Sequence, residues 1–445
     1  MSLSSIIMAI GGVVFIYALF KKIDWIAILL FTSIVADINF DLPGMPLNFR
    51  AVTTLCLLLK VLAEKKDPDN PFPSFISLSY CWHITFFIVY VWLISAKNSL
   101  MNMDLFKEMT LALISAFLGY YFYFRKGSYE IFKISITLGG LVCFGDLAYT
   151  YAFCGGFPVQ RFYHLIVGGF ELNNHNFFGY ICGGVFVFLL ADYLNAEGKT
   201  KMNLLMMPVM FLGTLLSTSR SSLLLVFIFA LVMVIRALMS QNKGKKAYTL
   251  VVMTIACLFI TLFIFQIVGS MLGSDSGFIT TITGRLIDEP MAMINRALGN
   301  SYNENSLDSM EWRKEASSIA YDSFKGLIPE EQLFGIGYNG FLTRDYGHGY
   351  DAHNGVLLMM IEFGVFGFLV YMALLIGLII KSAKLKLHSP FSVLLIYMIL
   401  YITSHNKELT AFFAFLVTGT LAAQIQYRLE GRQAKEFTQI EIAPQ

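Results

Sequence analysis

Two polar residues, His353 and Asn354, end a long polar segment and stand directly before an apolar run that begins at Gly355. Histidine has a reference pKa of about 6.5, so it can accept a proton near neutral pH and act as a general base. A lone histidine at such a boundary is also compatible with a structural role at the water-facing edge. Its chemistry therefore depends on the residues that gather around it.

Arginines with polar neighbours are the other candidate groups. Arg220 lies in a polar break, residues 217–222, whose other members are all serine or threonine. Such a break at a helix start offers backbone N–H groups and a guanidinium, which together bind anions. Arg161 precedes an asparagine-rich stretch that ends at Asn176, and Arg285 and Arg313 follow in the long polar segment. Each arginine alone could equally extend its charge toward lipid headgroups.

Taken together, these groups suit a site that holds a diphosphate and deprotonates a hydroxyl. Arginine binds phosphate oxygens through two parallel hydrogen bonds and keeps its charge at any relevant pH. A metal site is less favoured, because the acids of the long polar segment have no ligand spacing with a histidine. The sequence contains no P-loop, nucleophile elbow or dinucleotide-binding fingerprint. We therefore expect no metal and no other cofactor.

The elements that must position these residues are membrane helices. Of the 445 residues, 56% are hydrophobic and only 14% are charged, whereas soluble proteins average about 25% charged residues. Many apolar runs approach the roughly 20 residues that cross a bilayer, and backbone groups in hydrocarbon need internal hydrogen bonds. We predict an all-α, polytopic membrane protein with about 12 to 14 transmembrane helices. The predicted runs are 4–20, 24–42, 49–63, 75–95, 103–124, 130–152, 174–192, 203–217, 220–239, 248–272, 353–380, 391–404 and 409–427.

The chain divides by composition into three predicted regions. Residues 1–272 form the N-terminal transmembrane helices, and residues 353–445 form the C-terminal transmembrane helices with a short cytoplasmic tail. Between them, residues 273–352 form a large loop, in which short helices are expected near 308–325, because a structureless loop of this length is unusual.

The basic residues predict the orientation. About 20 of the 32 lysines and arginines fall in one set of alternating loops, which the positive-inside rule places in the cytoplasm. The 273–352 loop, Arg161 and Arg220 then face the external or periplasmic side. The basic residues are dispersed between apolar runs, so no nucleic-acid partner is expected.

Several motifs resemble those of a known family. Residues 333–341 (LFGIGYNGF), residues 352–354 (AHN) and residues 362–367 (EFGVFG) look like the signature of the bacterial O-antigen polymerase/ligase family. The serine-arginine stretch 216–223 is similar to that family's helix start, and Arg161 with the later asparagines resembles a further motif. Order and spacing agree over residues 155–380. Within the last motif, Glu362 is expected to be structural, with glycines that permit close packing.

The resemblance implies a metal-independent membrane glycosyltransferase at the periplasmic face of the bacterial inner membrane. The donor would be an oligosaccharide linked to undecaprenyl diphosphate, and the acceptor a sugar hydroxyl of a lipid-linked repeat unit or of lipid A-core. His353 matches the base and Arg220 the diphosphate-binding arginine. The family often has an arginine four residues before a Trp or Tyr, but Asp308 precedes Trp312 here, so Arg285 or Arg313 would make the second phosphate contact.

Three alternatives stay open beside the preferred function, which is polymerisation of repeat units, with a chain-length regulator as an optional partner. An O-antigen ligase, which joins the finished glycan to lipid A-core, shares every motif above. A transporter or flippase for a lipid-linked sugar would need more charge inside the apolar runs than this sequence has. A purely structural membrane protein would not need arginines concentrated on one side.

Overall fold

The computed structural model describes residues 23–38, 49–63, 79–101, 103–123, 128–153, 162–163, 171–172, 175–195, 201–239, 248–249, 251, 284, 288–299, 308–347, 352, 354–387, 389–402 and 411–442. In these ranges the chain is almost entirely helical. The helices are α1 (Ile23–Val35), α2 (Phe49–Ala63), α3 (Ser79–Lys97), α4 (Met103–Tyr123), α5 (Ser128–Phe153), α6 (His175–Asn195), α7 (Lys201–Leu216), α8 (Arg220–Leu238), α9 (Glu289–Ala297), α10 (Asp308–Gly326), α11 (Pro329–Phe334), α12 (Gly340–Thr343), α13 (Gly355–Lys384), α14 (Pro390–Ile402) and α15 (Ala411–Ile442). Two short strands, β1 (Phe162–Tyr163) and β2 (Glu171–Leu172), pair antiparallel.

Membrane-spanning helices dominate the described residues. Five of the helices, α4, α5, α6, α8 and α13, contain segments that are long and apolar enough to cross a bilayer. Four shorter apolar helices accompany them, in α1, α3, α7 and α14. The prediction of an all-α polytopic membrane protein is confirmed. Of the predicted runs, 4–20 and nearly all of 248–272 lie outside the described residues.

The helices form two compact units that do not follow chain order. Unit 1 contains residues 1–20, 35–40 and 136–318, and unit 2 contains residues 21–34, 41–135 and 319–445. The three regions predicted from composition, 1–272, 273–352 and 353–445, stay a prediction. The two units are defined by contacts between residues and therefore do not test regions defined by position in the chain.

In unit 1, α6 is the central helix. From Asn176 to Asn195, every residue except Phe186 and Asn195 is buried, and α7 and α8 both pack against α6. Asn203 Nδ2, on α7, donates buried hydrogen bonds to two groups of α6, Asp192 Oδ2 at 2.7 Å and the carbonyl oxygen of Leu189 at 3.3 Å. A buried charge needs such a partner, which explains how Asp192 is accommodated in an apolar helix.

In unit 2, α4 and α15 pack closely through small residues. A Cβ added at Gly119 would lie 2.6 Å from the carbonyl oxygen of Leu416, and one added at Gly419 would lie 2.1 Å from that of Ala116. Such distances are possible only where side chains are absent, which is how small residues bring membrane helices together. Tyr120 adds a hydrogen bond of 2.7 Å to Gln426 Oε1.

Helix α13 is broken at Gly364, whose φ of 68° and ψ of 170° lie outside the helical region. Before the break, residues 355–363 have no exposed side chain. After it, α13 exposes a stripe of large apolar residues that begins at Phe366 and continues through Leu369, Ile376 and Ile380. The 20 residues from 365 to 384 extend for about 30 Å, the thickness of the hydrocarbon core. The apolar run predicted at 353–380 corresponds to this span, Gly355–Lys384, and the break at Gly364 within it was not predicted.

Candidate active site

The turn between α7 and α8, residues 217–222, carries Arg220 and is named the serine turn. Helix α7 ends when the amide of Thr218 bonds to the carbonyl of Leu215 at 2.9 Å and Thr218 adopts a left-handed φ of 54°. Such a residue ends a helix by turning the chain away from its axis. Helix α8 then starts at Arg220, so the polar break in the sequence is a tight turn between two membrane helices.

The serine turn packs directly against the first turns of α6. A Cβ added at Gly179 would lie 2.5 Å from Ser219 Cβ and 2.6 Å from Ser217 Oγ. Only glycine fits there, so the turn and α6 are held at a fixed distance. Asn176 is 5% exposed and lies three residues earlier on α6, about 4.5 Å along the helix axis. The structure therefore brings two predicted site residues, Asn176 and Arg220, to one end of unit 1.

The hydroxyls of the serine turn bond mainly to one another and to α7. Ser217 Oγ donates to the carbonyl of Thr214 at 2.7 Å, and Ser219 Oγ lies 2.9 Å from Ser222 Oγ. The side chain of Ser219 stands at the N-cap position but makes no capping hydrogen bond to the backbone amides of the first turn of α8. The positive end of the α8 dipole and the half-buried Arg220 lie together here, an arrangement that could bind an anion.

In unit 2, the residues on either side of position 353 are both held in place. Ala352 is fully buried in an apolar cluster with Ile336, Phe341 and Leu358. Asn354 is the N-cap of α13, and its Oδ1 accepts hydrogen bonds from the amides of Val356 at 3.1 Å and Leu357 at 3.2 Å. The cap uses the side-chain amide oxygen of Asn354, which leaves the side-chain NH2 group as the part that could contact a substrate.

Residues 333–341 and residues 362–367, the two glycine motifs of the sequence, contact each other at the break in α13. Gly335 has a φ of 86° and a ψ of 170°, close to the values of Gly364, and only glycine adopts this region readily. A Cβ at Gly364 would lie 2.2 Å from the carbonyl oxygen of Leu333, and one at Gly335 would lie 2.3 Å from that of Glu362. The prediction that glycine permits close packing beside Glu362 agrees with this geometry.

Backbone hydrogen bonds join the two motifs. The amide of Ile336 donates to the carbonyl of Ile361 at 3.0 Å, and the amide of Gly337 donates to that of Glu362 at 2.8 Å. In a regular helix these carbonyls accept from amides four residues further on. The break thus lets α13 accept hydrogen bonds from a separate stretch of chain, and we name that stretch, residues 329–346, the docked segment.

The docked segment also contacts the C-terminal end of α3 and the loop that follows it. The amide of Tyr338 donates to Ser95 Oγ at 3.0 Å, and Arg344 bonds to Asn98 Oδ1 at 2.7 Å and to Glu331 Oε1 at 2.9 Å. Partial burial lowers the pKa of Arg344, but hydrogen bonds to Glu331 and Tyr346 outweigh it and raise the pKa above its ordinary value. The loop after α3 therefore lies on the same side of unit 2 as the docked segment.

The predicted site residues are not all described. Arg161, Arg285 and His353 lie outside the described residues. Arg313 is half-buried on α10. Asn176 and Arg220 belong to unit 1, and Asn354 belongs to unit 2. Convergence of the arginines on His353 therefore stays a prediction.

Sequence reasoning missed the residues that build the supports of the site. Gly179 fixes the serine turn on α6, and Tyr90 of α3 lies at the break in α13. The glycines of the two motifs were noticed, but their mutual contact was not. A signal was present, because two glycine-rich motifs some 30 residues apart, each beside bulky apolar residues, are typical of two backbones in close approach.

The described residues contain no group of three or more His, Cys, Asp or Glu side chains that could hold a metal ion.

Comparison with known proteins supports the motif resemblance. Residues 205–372 match a family model described as O-antigen ligase. That match begins in α7, includes the serine turn and the docked segment, and ends in α13 beyond the break. No curated protein gave a significant match to the chain. Residues 205–372 of this multi-pass membrane protein are therefore similar to the O-antigen ligase/polymerase family, whose members are glycosyltransferase-like enzymes.

Proposed function

We propose that this protein transfers a glycan en bloc from undecaprenyl diphosphate to an acceptor sugar hydroxyl at the periplasmic face of the inner membrane. The observation that carries the proposal is the start of α8. Arg220 stands there beside a first turn that the N-cap side chain leaves uncapped, inside the region that matches the family. A guanidinium and a helix dipole at one point suit the diphosphate of a lipid-linked donor.

The proposed mechanism needs one base and one anion site. His353 removes the proton from the acceptor hydroxyl, whose oxygen attacks the anomeric carbon of the donor glycan. The bond from that carbon to the diphosphate oxygen breaks, and undecaprenyl diphosphate leaves with the electron pair. Arg220 and the α8 dipole stabilise the charge that develops on the leaving group. This role requires no metal ion, because guanidinium groups supply the positive charge.

The remaining predicted residues have supporting roles in this mechanism. Arg161, Arg285 and Arg313 are candidates for further phosphate contacts, since a diphosphate offers more oxygens than one guanidinium can bind. Asn176, beside the serine turn, and the NH2 group of Asn354 are candidates for hydrogen bonds to the glycan.

Polymerisation of repeat units is the preferred reaction, with ligation to lipid A-core as the second candidate. The description of the matching family as O-antigen ligase supports the second candidate. Both reactions use the same donor and differ only in the acceptor, so the product separates them. A purified preparation that lengthens lipid-linked repeat units is a polymerase, and one that transfers finished glycan to lipid A-core is a ligase.

The proposal is tested with purified protein in detergent and a chemically defined undecaprenyl-diphosphate-linked repeat unit. We expect transfer by the wild-type protein, with or without a metal chelator, and loss of transfer in His353→Ala. Arg220→Lys should retain part of the activity that Arg220→Ala loses, since lysine keeps the charge without the forked geometry. Arg236→Ala, at the opposite end of α8, is the matched control. A transporter gives no longer glycan without two compartments, and a folded wild-type protein that forms no product from either acceptor contradicts the proposal.

A further inference from the structure

Tyr90, on α3, bridges the two backbones that meet at the break in α13. Its hydroxyl lies 2.8 Å from the carbonyl oxygen of Phe334, in the docked segment, and 2.8 Å from that of Phe363, in α13. A hydroxyl has one proton to donate, so the two carbonyls share it. One side chain of a third helix therefore links the residue before Gly335 to the residue before Gly364.

The ring of Tyr90 is held in position independently of its hydroxyl. A Cβ at Gly367 would lie 2.6 Å from Tyr90 Cε1, so the absence of a side chain at 367 makes room for the ring. The ring also packs edge-on against Phe366, with centroids 5.5 Å apart. A phenylalanine at position 90 would keep these contacts and lose only the hydroxyl.

The docked segment leads directly into the candidate site. It supplies Ile336 and Phe341 to the cluster that buries Ala352, and the cap at Asn354 follows two residues later. A shift of the docked segment relative to α13 would therefore move the chain on both sides of position 353. Misplacement of a reacting group by about 1 Å is enough to slow a reaction by up to about a hundredfold.

We propose that Tyr90 is a positioning residue for the transfer reaction, acting through the docked segment on the part of the chain that carries His353. This inference rests on the proposed function. Tyr90 touches neither donor nor acceptor in this account. Its hydroxyl fixes the docked segment against α13, and so sets where the base meets the acceptor hydroxyl.

The test compares Tyr90→Phe with Tyr120→Phe, a control that removes a tyrosine hydrogen bond between two other helices of the same unit. The first readout is hydrogen exchange of a peptide that contains the amides of Ile336 and Gly337, which bond across the break. We expect exchange to be about fivefold faster in Tyr90→Phe, the factor that a hydrogen bond of ordinary strength contributes, and unchanged in Tyr120→Phe.

The second readout is steady-state transfer with the lipid-linked donor. We expect kcat to fall about tenfold in Tyr90→Phe while the KM for the donor stays the same, because donor binding is assigned to the serine turn in the other unit. The proposal is overturned if Tyr90→Phe exchanges these amides at the wild-type rate, or if it keeps the wild-type kcat. It is also overturned if kcat and donor binding fall equally and the melting temperature falls with them. Absence of transfer by the wild-type protein is a separate failure, that of the proposed function, and the exchange readout does not depend on turnover.

Discussion

Two helices of this protein begin after a short polar stretch, and their first turns are treated in opposite ways. At the start of α13, the side chain of Asn354 accepts hydrogen bonds from two backbone amides. At the start of α8, the side chain of Ser219 occupies the same position and caps nothing, since its hydroxyl lies against that of Ser222. The start of α13 is capped by a side chain of its own chain. At the start of α8 the N-cap side chain makes no capping hydrogen bond.

This difference assigns different tasks to two stretches that look alike in the sequence. A capped start is worth about 1 kcal/mol of helix stability and offers little to an anion. An uncapped start beside an arginine gives up that stability and suits a phosphate group. We therefore assign binding of the donor diphosphate to the serine turn. We assign positioning of the base, His353, to the docked segment and α13.

The largest expected effect comes from the break in α13. Replacing Gly364 by alanine places a Cβ 2.2 Å from the carbonyl oxygen of Leu333, at a backbone conformation that glycine alone adopts readily. We expect a loss of at least about 3 kcal/mol of stability, seen as poor recovery of folded protein in detergent.

The control for that variant is Gly377→Ala in the same helix, where an added Cβ meets nothing within 4 Å. Alanine favours helix over glycine by about 1 kcal/mol, so this change should be neutral or stabilising. Equal recovery of the two variants would show that the contact between the glycine motifs is dispensable.

A smaller effect distinguishes capping from substrate binding at Asn354. Asn354→Ala should lower stability by about 1 kcal/mol, because two amides lose their acceptor. Asn354→Asp keeps an acceptor at the cap and removes the NH2 group, so its melting temperature should stay near that of the wild type. Transfer assays on the same pair test whether the NH2 group contacts the glycan, and a stable but inactive Asn354→Asp is the result expected for that role.

The smallest effects come from two ion pairs, one in each unit. Arg344 and Glu331 in the docked segment are 29% and 21% exposed, whereas Arg296 and Glu311 are 49% and 61% exposed. Arg344→Ala also loses the bond to Asn98 and should cost about 1 to 2 kcal/mol. Arg296→Ala should cost less than about 0.5 kcal/mol, since exposed pairs contribute little. Thermal unfolding of the two variants side by side checks the ranking, and a larger loss from Arg296→Ala would reverse it.

Helix positions could be predicted from the sequence because membrane helices are defined locally. The apolar runs 203–217 and 220–239 correspond to α7 (Lys201–Leu216) and α8 (Arg220–Leu238), and the helix expected near 308–325 is α10 (Asp308–Gly326). The serines and threonine of residues 217–222 separate the first two runs, and the turn between α7 and α8 lies there.

The break at Gly364 could not be predicted in the same way. Apolar residues continue on both sides of it, so the pattern is that of one helix. The cause is a partner about 30 residues earlier in the chain, whose backbone replaces part of the helix's own hydrogen bonding. The role of Tyr90 depends on the same tertiary contact, since its two carbonyl partners are more than 240 residues away in sequence.

The most direct test of this account is binding of undecaprenyl diphosphate, without any glycan, to the purified protein. The wild-type protein and Arg236→Ala should bind it equally well. Arg220→Ala should bind it at least about tenfold more weakly, since a charge-assisted hydrogen bond contributes about 1.5 to 3 kcal/mol. Equal affinity of Arg220→Ala and the wild-type protein would contradict the assignment of the donor diphosphate to the start of α8.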